Sequence, residues 1–210
     1  MDNKKNVLVL APHTDDGELG CGGSIAKYCL ENKNVFYAAF SICSRSLPKE
    51  LAPDTLAKEV KAATQVLGIK PENLILFDYD VRHFYQERQS ILEELIKLRS
   101  FIKPDLVFVP SPTDIHQDHQ VISEEGLRAF KNTSLLGYEM PWNNISFNTR
   151  SFNVLEEAHI VKKVEALKKY ESQAKRSYLN EEFIRSQAIM RGVQIGVRYA
   201  ETFEVIRLIN

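Results

Sequence analysis

The sequence predicts an α/β fold in which a mainly parallel sheet carries helices on both faces. Apolar, strand-like segments alternate with amphipathic, helix-like segments over more than half of the 210 residues. The strand-like segments are apolar throughout rather than at every second position, which is typical of parallel strands buried on both faces. Two junctions, LGIKPENLILF (67–77) and FIKPDLVFV (101–109), each end a helix, place Lys-Pro in the connection and open a short apolar strand. The first four strands therefore predict a Rossmann-like sheet with right-handed crossovers.

The first part of the chain contains four predicted strands and four predicted helices. The strands cover residues 7–10, 35–42, 74–77 and 106–109, and the helices cover 22–31, 55–67, 86–102 and about 117–131. Gly68 stands where the second helix should stop, since glycine is favoured just after a helix C-terminus. The glycines of LGCGG (19–23) predict a tight turn before the first helix and close contact between that helix and the sheet.

Beyond about residue 132 the alternation changes. Short strands are predicted within 135–144 and at 152–155, helices at 158–172 and 180–190, and a last strand at 201–209. No segment rich in Pro, Gly or Ser separates these elements from the preceding ones. The sequence therefore predicts a single domain over residues 1–210.

Composition excludes several classes of protein. The chain has 27 basic and 28 acidic residues, a net charge of -1 and no dense Lys/Arg run, so nucleic acid is not an expected partner. No stretch approaches the roughly 20 apolar residues of a membrane span, and the apolar run near the N-terminus is too short for a signal peptide. The three cysteines lack CxxC spacing, which is typical of reduced thiols. We therefore expect a cytoplasmic enzyme or binding protein without a membrane span.

Two polar clusters follow two of the predicted strands. His13, Asp15, Asp16 and Glu18 come directly after the first strand, and the segment SPTDIHQDH (111–119) follows the fourth. In an open parallel sheet, ligands bind at the carboxyl ends of the strands, so we expect both clusters to face one crevice. Three carboxylates beside an imidazole repel one another unless a positive charge lies among them. This crowding indicates a divalent cation.

The spacing favours a zinc-type site. A catalytic zinc typically has three protein ligands and leaves a fourth position for water. His13, Asp16 and His119 would supply two imidazoles and one carboxylate, and side chains three positions apart lie on one side of a turn or helix start. Fe²⁺, Co²⁺ and Mn²⁺ accept the same ligands, so the sequence predicts the site without fixing the metal.

Three further side chains of these clusters are candidates for catalysis. Asp15 remains beside the metal as a free carboxylate that can accept a proton from the bound water. His116 remains as a cationic or hydrogen-bonding group, and Asp118 is placed to orient an imidazole.

The two clusters also carry a family resemblance. APHTDDGELGCGG (11–23) and HQDH (116–119) resemble the His-Pro-Asp-Asp and His-x-Asp-His motifs of the PIG-L/LmbE-like deacetylases. These are zinc hydrolases that remove acetyl groups from N-acetylglucosamine-type sugars. The resemblance continues in KVEALKKYESQ (163–173) and RGVQIGVRYAETFEVIR (191–207), and so covers most of the chain.

The resemblance implies the same three metal ligands, with Asp15 as general base. It implies that His116 supports the oxyanion or protonates the leaving amine. Thr14 stands where the family usually has proline, and Gly17 where many members have glutamate, but neither position is a ligand. The resemblance further implies an amino-sugar substrate or its conjugate and assembly into trimers or hexamers.

Substrate contacts are harder to place from sequence. Arg45, Glu139 and Trp142 lie in or near predicted loops, and an aromatic ring beside polar residues suits the apolar face and the hydroxyls of a sugar. Two alternatives to the deacetylase remain open. One is a zinc amidase or esterase that acts on a non-sugar substrate, and the other is a non-catalytic sugar-binding protein of the same fold.

Overall fold

The computed structural model describes residues 5–209, and a single seven-stranded sheet forms its centre. The strands are β1 (Asn6–His13), β2 (Asn34–Ser41), β3 (Leu74–Leu76), β4 (Leu106–Pro110), β5 (Ser134–Tyr138), β6 (Ser151–Leu155) and β7 (Tyr199–Arg207). The helices are α1 (Asp16–Leu30), α2 (Thr55–Leu67), α3 (Arg88–Ile102), α4 (Gln117–Ala129), α5 (Glu157–Leu167) and α6 (Glu181–Val193).

The sheet is mainly parallel, as predicted. The strand order is β3-β2-β1-β4-β5-β7-β6, in which the first five strands are parallel and β7 is antiparallel to both of its neighbours. Side chains of β1 alternate between the two faces, as strand geometry requires. Val7 and Val9 pack into a core that includes residues of α1, α2, α5 and α6, whereas Leu8 and Leu10 pack with α3 and α4. Helices therefore cover both faces, and the predicted fold class is confirmed.

The strand order changes direction at β1. The chain moves outwards from β1 to β2 and β3 on one side, and continues through β4 and β5 on the other side. This reversal is the switch point at which open α/β sheets bind ligands, at the carboxyl ends of the strands. Both predicted clusters follow the two strands that meet there.

The start of α1 differs from the prediction. A first helical segment already begins at Asp16, and a break at Cys21 separates it from the segment that continues from residue 22, so the predicted start marks the kink rather than the first residue of the helix. Gly17 and Gly20 allow close packing on the sheet, because a Cβ on Gly17 would lie 2.5 Å from the ring of Tyr37, and one on Gly20 would lie 2.3 Å from Tyr138. The close contact between helix and sheet is thus confirmed. The helix kinks at Cys21, whose φ is −144°.

Three other boundaries differ in α5 and β7. Helix α5 ends at Leu167 rather than at residue 172, and the turn that follows carries Tyr170 into the core. Strand β7 begins and ends two residues before the predicted range of 201–209. Within residues 5–209, none of the helices has the length and apolar character needed to cross a membrane.

Candidate active site

Three histidines meet where β1 ends and α4 begins. His13 is the last residue of β1, and His116 and His119 lie at the start of α4. The ring centroid of His13 lies 5.0 Å from that of His116 and 5.4 Å from that of His119, and the latter two lie 4.6 Å apart. The structure therefore brings the two sequence clusters together at one edge of the sheet.

Asp16 lies between two of these imidazoles. Its Oδ2 is 3.1 Å from His13 Nδ1 and 3.2 Å from His119 Nε2, and it accepts the backbone N–H of His13 at 2.7 Å. One ligand atom from each of the three residues lies within 4.8 Å of the other two. Asp16 and His119 are buried and His13 is nearly so. Two imidazole nitrogens and one carboxylate oxygen in a buried site match the donors that a catalytic zinc uses.

The opposite nitrogen of each imidazole contacts a second carboxylate. His13 Nε2 lies 3.0 Å from Asp118 Oδ2, and His119 Nδ1 lies 2.7 Å from Asp114 Oδ2. Metal-ligating histidines almost always donate their other N–H in this way, which fixes the tautomer and the ring orientation. We call His13, Asp16, Asp114, Asp118 and His119 the metal cluster.

Sequence reasoning missed Asp114. This residue is fully buried, and its Oδ1 also accepts the backbone N–H of His116 at 2.8 Å. The available signal was an acidic residue five positions before His119, within SPTDIHQDH, but spacing alone does not reveal this contact.

The electrostatics of the metal cluster favour positive charge. Burial lowers the pKa of His13, but Asp16 and Asp118 outweigh it and raise that pKa to about 9. Burial also lowers the pKa of His119, but Asp16 and Asp114 outweigh this effect and raise that pKa to about 10. Burial raises the pKa of Asp16, but His119 and His13 hold it far below its usual range. A divalent cation can supply the charge that protons on the two rings would otherwise supply, which fits the donor set.

Asp15 differs from the other carboxylates of the site. It occupies the N-cap position of α1, yet its side chain makes no capping hydrogen bond to the helix. It is half-buried. Burial and the neighbouring Asp16 raise the pKa of its carboxyl to about 6. Its carboxylate is therefore available to exchange a proton beside the metal cluster.

His116 is oriented by the start of α4. Its Nδ1 accepts the backbone N–H of Asp118 at 3.1 Å, so the neutral ring carries its proton on Nε2. Burial, together with His119 and His13, lowers the pKa of His116 to about 4. The ring is thus a neutral hydrogen-bond donor next to the metal cluster.

Glu18 does not join this site, although it belongs to the same sequence cluster. It is fully buried, and its carboxyl contacts the hydroxyls of Tyr37 and Tyr170 instead of the histidines. Burial raises the pKa of Glu18 to about 8 in spite of these two hydrogen bonds.

A polar cleft adjoins the histidines on the β2 side. Its volume is about 260 Å³, and its lining includes Ser41, Arg45 and Asp80. Its lining contains no residue of the metal cluster, but Ser41 is the register partner of His13 in the β1–β2 pair, so this one lining residue lies next to the cluster. Arg45 forms an exposed ion pair with Asp80. One predicted substrate residue therefore lies within reach of this cleft.

The other two predicted substrate residues lie elsewhere. Trp142 stacks on Tyr178 with the ring centroids 3.9 Å apart, and remains 38% exposed. Glu139 is buried, and both of its carboxylate oxygens accept hydrogen bonds from Arg191. Glu139 lines a different, smaller pocket. The structure therefore does not bring the three residues into one pocket.

Comparisons with known proteins point to one family. A family model described as PIG-L: GlcNAc-PI de-N-acetylase matches residues 8–130, which include both clusters. YaiS of Escherichia coli K12, an uncharacterized deacetylase, is 30% identical over 176 residues, which cover 81% of this chain and 93% of YaiS. The diacetylchitobiose deacetylase of Thermococcus kodakarensis is 27% identical, over 94% of this chain and 81% of that protein.

Solved structures of deacetylases also share the fold of this chain. The structure of N,N'-diacetylchitobiose deacetylase from Pyrococcus horikoshii superposes with a TM-score of 0.80 at 22% identity, covering 97% of this chain and 84% of that one. The match of the family model over more than half of the chain, together with the likeness to YaiS, identifies this chain as a member of the PIG-L family.

Proposed function

We propose that this protein is a metal-dependent hydrolase that removes the N-acetyl group from an N-acetylglucosamine-type amino sugar or its conjugate. Membership of the PIG-L family and the names of two relatives, both deacetylases, support this activity. The observation that carries the proposal is the uncapped carboxylate of Asp15 directly beside a buried His–Asp–His set.

His13, Asp16 and His119 would hold the metal. Zinc suits two imidazoles and one carboxylate, and Fe²⁺, Co²⁺ or Mn²⁺ are the other candidates for this donor set. When bound, such a cation lowers the pKa of a coordinated water from about 15.7 to about 7 and polarises a carbonyl group. Asp118 and Asp114 hold the two imidazoles in the orientation that this role needs.

Asp15 is the proposed general base. Its carboxylate takes a proton from the water as the water oxygen forms a bond to the acetamide carbonyl carbon. The same proton then passes to the amide nitrogen as the C–N bond breaks. Without this proton, the nitrogen would have to leave as an amide anion, which is a poor leaving group. The products are acetate and the free amino sugar.

His116 is the proposed donor to the developing oxyanion. With Nδ1 occupied by the backbone N–H of Asp118, its Nε2–H is free to bond the carbonyl oxygen as negative charge grows there. Removal of one such donor typically costs ~100- to 1000-fold in rate.

The polar cleft is the proposed place for the sugar. Arg45 and Asp80 offer donors and acceptors to its hydroxyls. We assign Trp142 no contact in this cleft, since it stacks on Tyr178 outside the lining. We assign Glu139 no direct contact, since Arg191 engages both of its oxygens.

The test combines metal analysis of the purified protein with acetate release from a panel of N-acetylglucosamine conjugates, with and without a chelator. We expect one metal per chain and acetate release that the chelator abolishes. Metal without acetate release would refute the substrate class and redirect the search to other amides and esters. No metal after reconstitution would refute the site itself.

A further inference from the structure

Three residues with proposed roles lie within the four positions from the end of β1 to the start of α1. His13 and Asp16 are the proposed ligands and Asp15 is the proposed base, so all three depend on the backbone around Thr14. The side chain of Asp15 makes no capping hydrogen bond that would fix it. The position of its backbone depends on the Thr14 peptide that precedes it.

Two buried phenols hold that peptide. The carbonyl oxygen of Thr14 accepts from Tyr37 Oη at 2.8 Å and from Tyr170 Oη at 2.7 Å. Both tyrosines are fully buried, so water does not compete for these bonds. Tyr37 comes from β2, and Tyr170 comes from the turn after α5. The loop is thus fastened both to the sheet and to the second half of the chain.

Glu18 links the two phenols to each other. Its Oε1 lies 2.8 Å from Tyr170 Oη, and its Oε2 contacts Tyr37 Oη. The Oη of Tyr37 also accepts the backbone N–H of Gly17 at 3.1 Å. Each phenol has a single proton, so two phenols, with at most one proton on Glu18, supply no more than three of the four hydrogen bonds among these groups. The four groups thus form a ring of short contacts in which the Thr14 carbonyl and Glu18 share the same donors.

We propose that Tyr37, Tyr170 and Glu18 act as positioning residues, which fix the Thr14 peptide so that Asp15 and the ligands on either side of it keep their working geometry. The proposal rests on the proposed function for its catalytic part, but not for its effect on metal binding. None of the three side chains is needed to touch the substrate.

Tyrosines that only stabilise the fold would be buried in the same way as Tyr37 and Tyr170. The test therefore includes a matched control. Tyr138 is also fully buried, and its hydroxyl donates to the carbonyl of Leu10 on β1 at 3.0 Å, three residues before His13. Tyr138→Phe therefore removes the same type of bond to the same strand without touching the loop. Tyr37→Phe and Tyr170→Phe remove the hydroxyls that bond Thr14; both changes also remove a contact to Glu18, and Tyr37→Phe removes the acceptor of the Gly17 N–H.

The measurements are the dissociation constant for Zn²⁺, kcat and KM for acetate release, and the melting temperature of the full-length chain. In Tyr37→Phe and Tyr170→Phe we expect Zn²⁺ affinity or kcat to fall about 10- to 100-fold, the range seen when partners of metal ligands are removed, with KM nearly unchanged. The double variant should lose less than the product of the single losses, because both phenols serve the same two groups. Tyr138→Phe should melt at a similarly lowered temperature with both constants unchanged.

Unchanged Zn²⁺ affinity and kcat in both phenylalanine variants would overturn the proposal, as would equal losses in Tyr138→Phe. If the wild type releases no acetate, the deacetylase proposal fails, and the Zn²⁺ affinities alone still decide the role of the tyrosines.

Discussion

Helix α1 is flanked by two buried groups of charged side chains that differ in how their charges are balanced. At its kink, the carboxylate of Glu201 accepts from Lys163 Nζ at 2.7 Å and from the backbone N–H groups of Gly23 and Ser24 at 2.9 and 2.7 Å. We call these four residues the kink cluster. It contains one ammonium for one carboxylate, and Lys163 Nζ also donates to the carbonyl of Leu19 at 2.7 Å.

The metal cluster at the N-terminus of α1 is not balanced in this way. Its three carboxylates face two imidazoles, and neither lysine nor arginine belongs to it. The rings reach a positive charge only by taking up protons, whereas a cation would supply it without them. The kink cluster carries its own counter-charge, whereas the metal cluster has more carboxylates than cations, which is the basis of the proposed cation site.

The largest effect should follow from removing a ligand. His119→Ala deletes one of three metal donors, so we expect loss of bound metal and of detectable acetate release, measured by elemental analysis and an acetate assay. His159→Ala is the control, because His159 only caps α5. That variant should lose some stability, typically about 1 kcal/mol for a lost cap, and keep its metal. Full metal content in His119→Ala would contradict the assignment of the cluster.

The second-largest effect should follow from replacing Asp15, and it distinguishes the proposed base from the proposed metal ligands. Asp15→Asn keeps the shape of the side chain but cannot accept the proton, so kcat should fall ~100- to 10,000-fold. Metal content and the melting temperature should remain those of the wild type, since Asp15 neither ligates nor caps the helix. Undiminished turnover in this variant would show that another group serves as the base.

Much of the fold could be predicted from the sequence, because buried strands and the polar residues that follow them are recognisable in short segments of the chain. Continuous apolar runs at 7–10 and 106–109 suffice to predict buried parallel strands, and polar residues just after them suffice to predict a site at the sheet edge. The insertion of β7 between β5 and β6 leaves no such local trace.

The failures have a common physical cause. Glycines favour turns in isolation, but Gly17 and Gly20 lie in a helical segment, where their lack of a Cβ makes room for two tyrosine rings of the sheet. Asp114 and Tyr170 act on the site through contacts that only the folded chain creates. Residue spacing predicts which side chains share a turn, but not which distant groups bond to them.

A smaller effect should follow from loss of an orienting carboxylate. Asp114→Asn leaves all three ligands in place but weakens the bond that orients His119, so Zn²⁺ affinity should fall about 10- to 100-fold by competition titration. Asp105→Asn changes a carboxylate that bonds the backbone of Asn6 near the opposite end of β4. It should leave the affinity unchanged. Equal affinities in the two variants would contradict the role of Asp114.

The kink cluster should show the smallest effect on activity and a large one on stability. Lys163→Met leaves the buried carboxylate of Glu201 without its counter-charge, and breaking such a pair typically costs about 3–5 kcal/mol of unfolding free energy. Chemical denaturation measures this loss. Lys168→Met, which breaks an exposed pair with Glu181, should cost only about 0–1 kcal/mol.

Metal affinity of the folded Lys163→Met protein decides whether the two clusters are independent. The imidazoles and Asp16 are oriented by Asp114, Asp118 and the loop around Thr14, and no residue of the kink cluster contacts them among the hydrogen bonds of residues 5–209. We therefore expect unchanged Zn²⁺ affinity per folded molecule. A weaker affinity would mean that the kink at Cys21 transmits strain along α1 to Asp16, and that Lys163 stabilises the metal site as well as the fold.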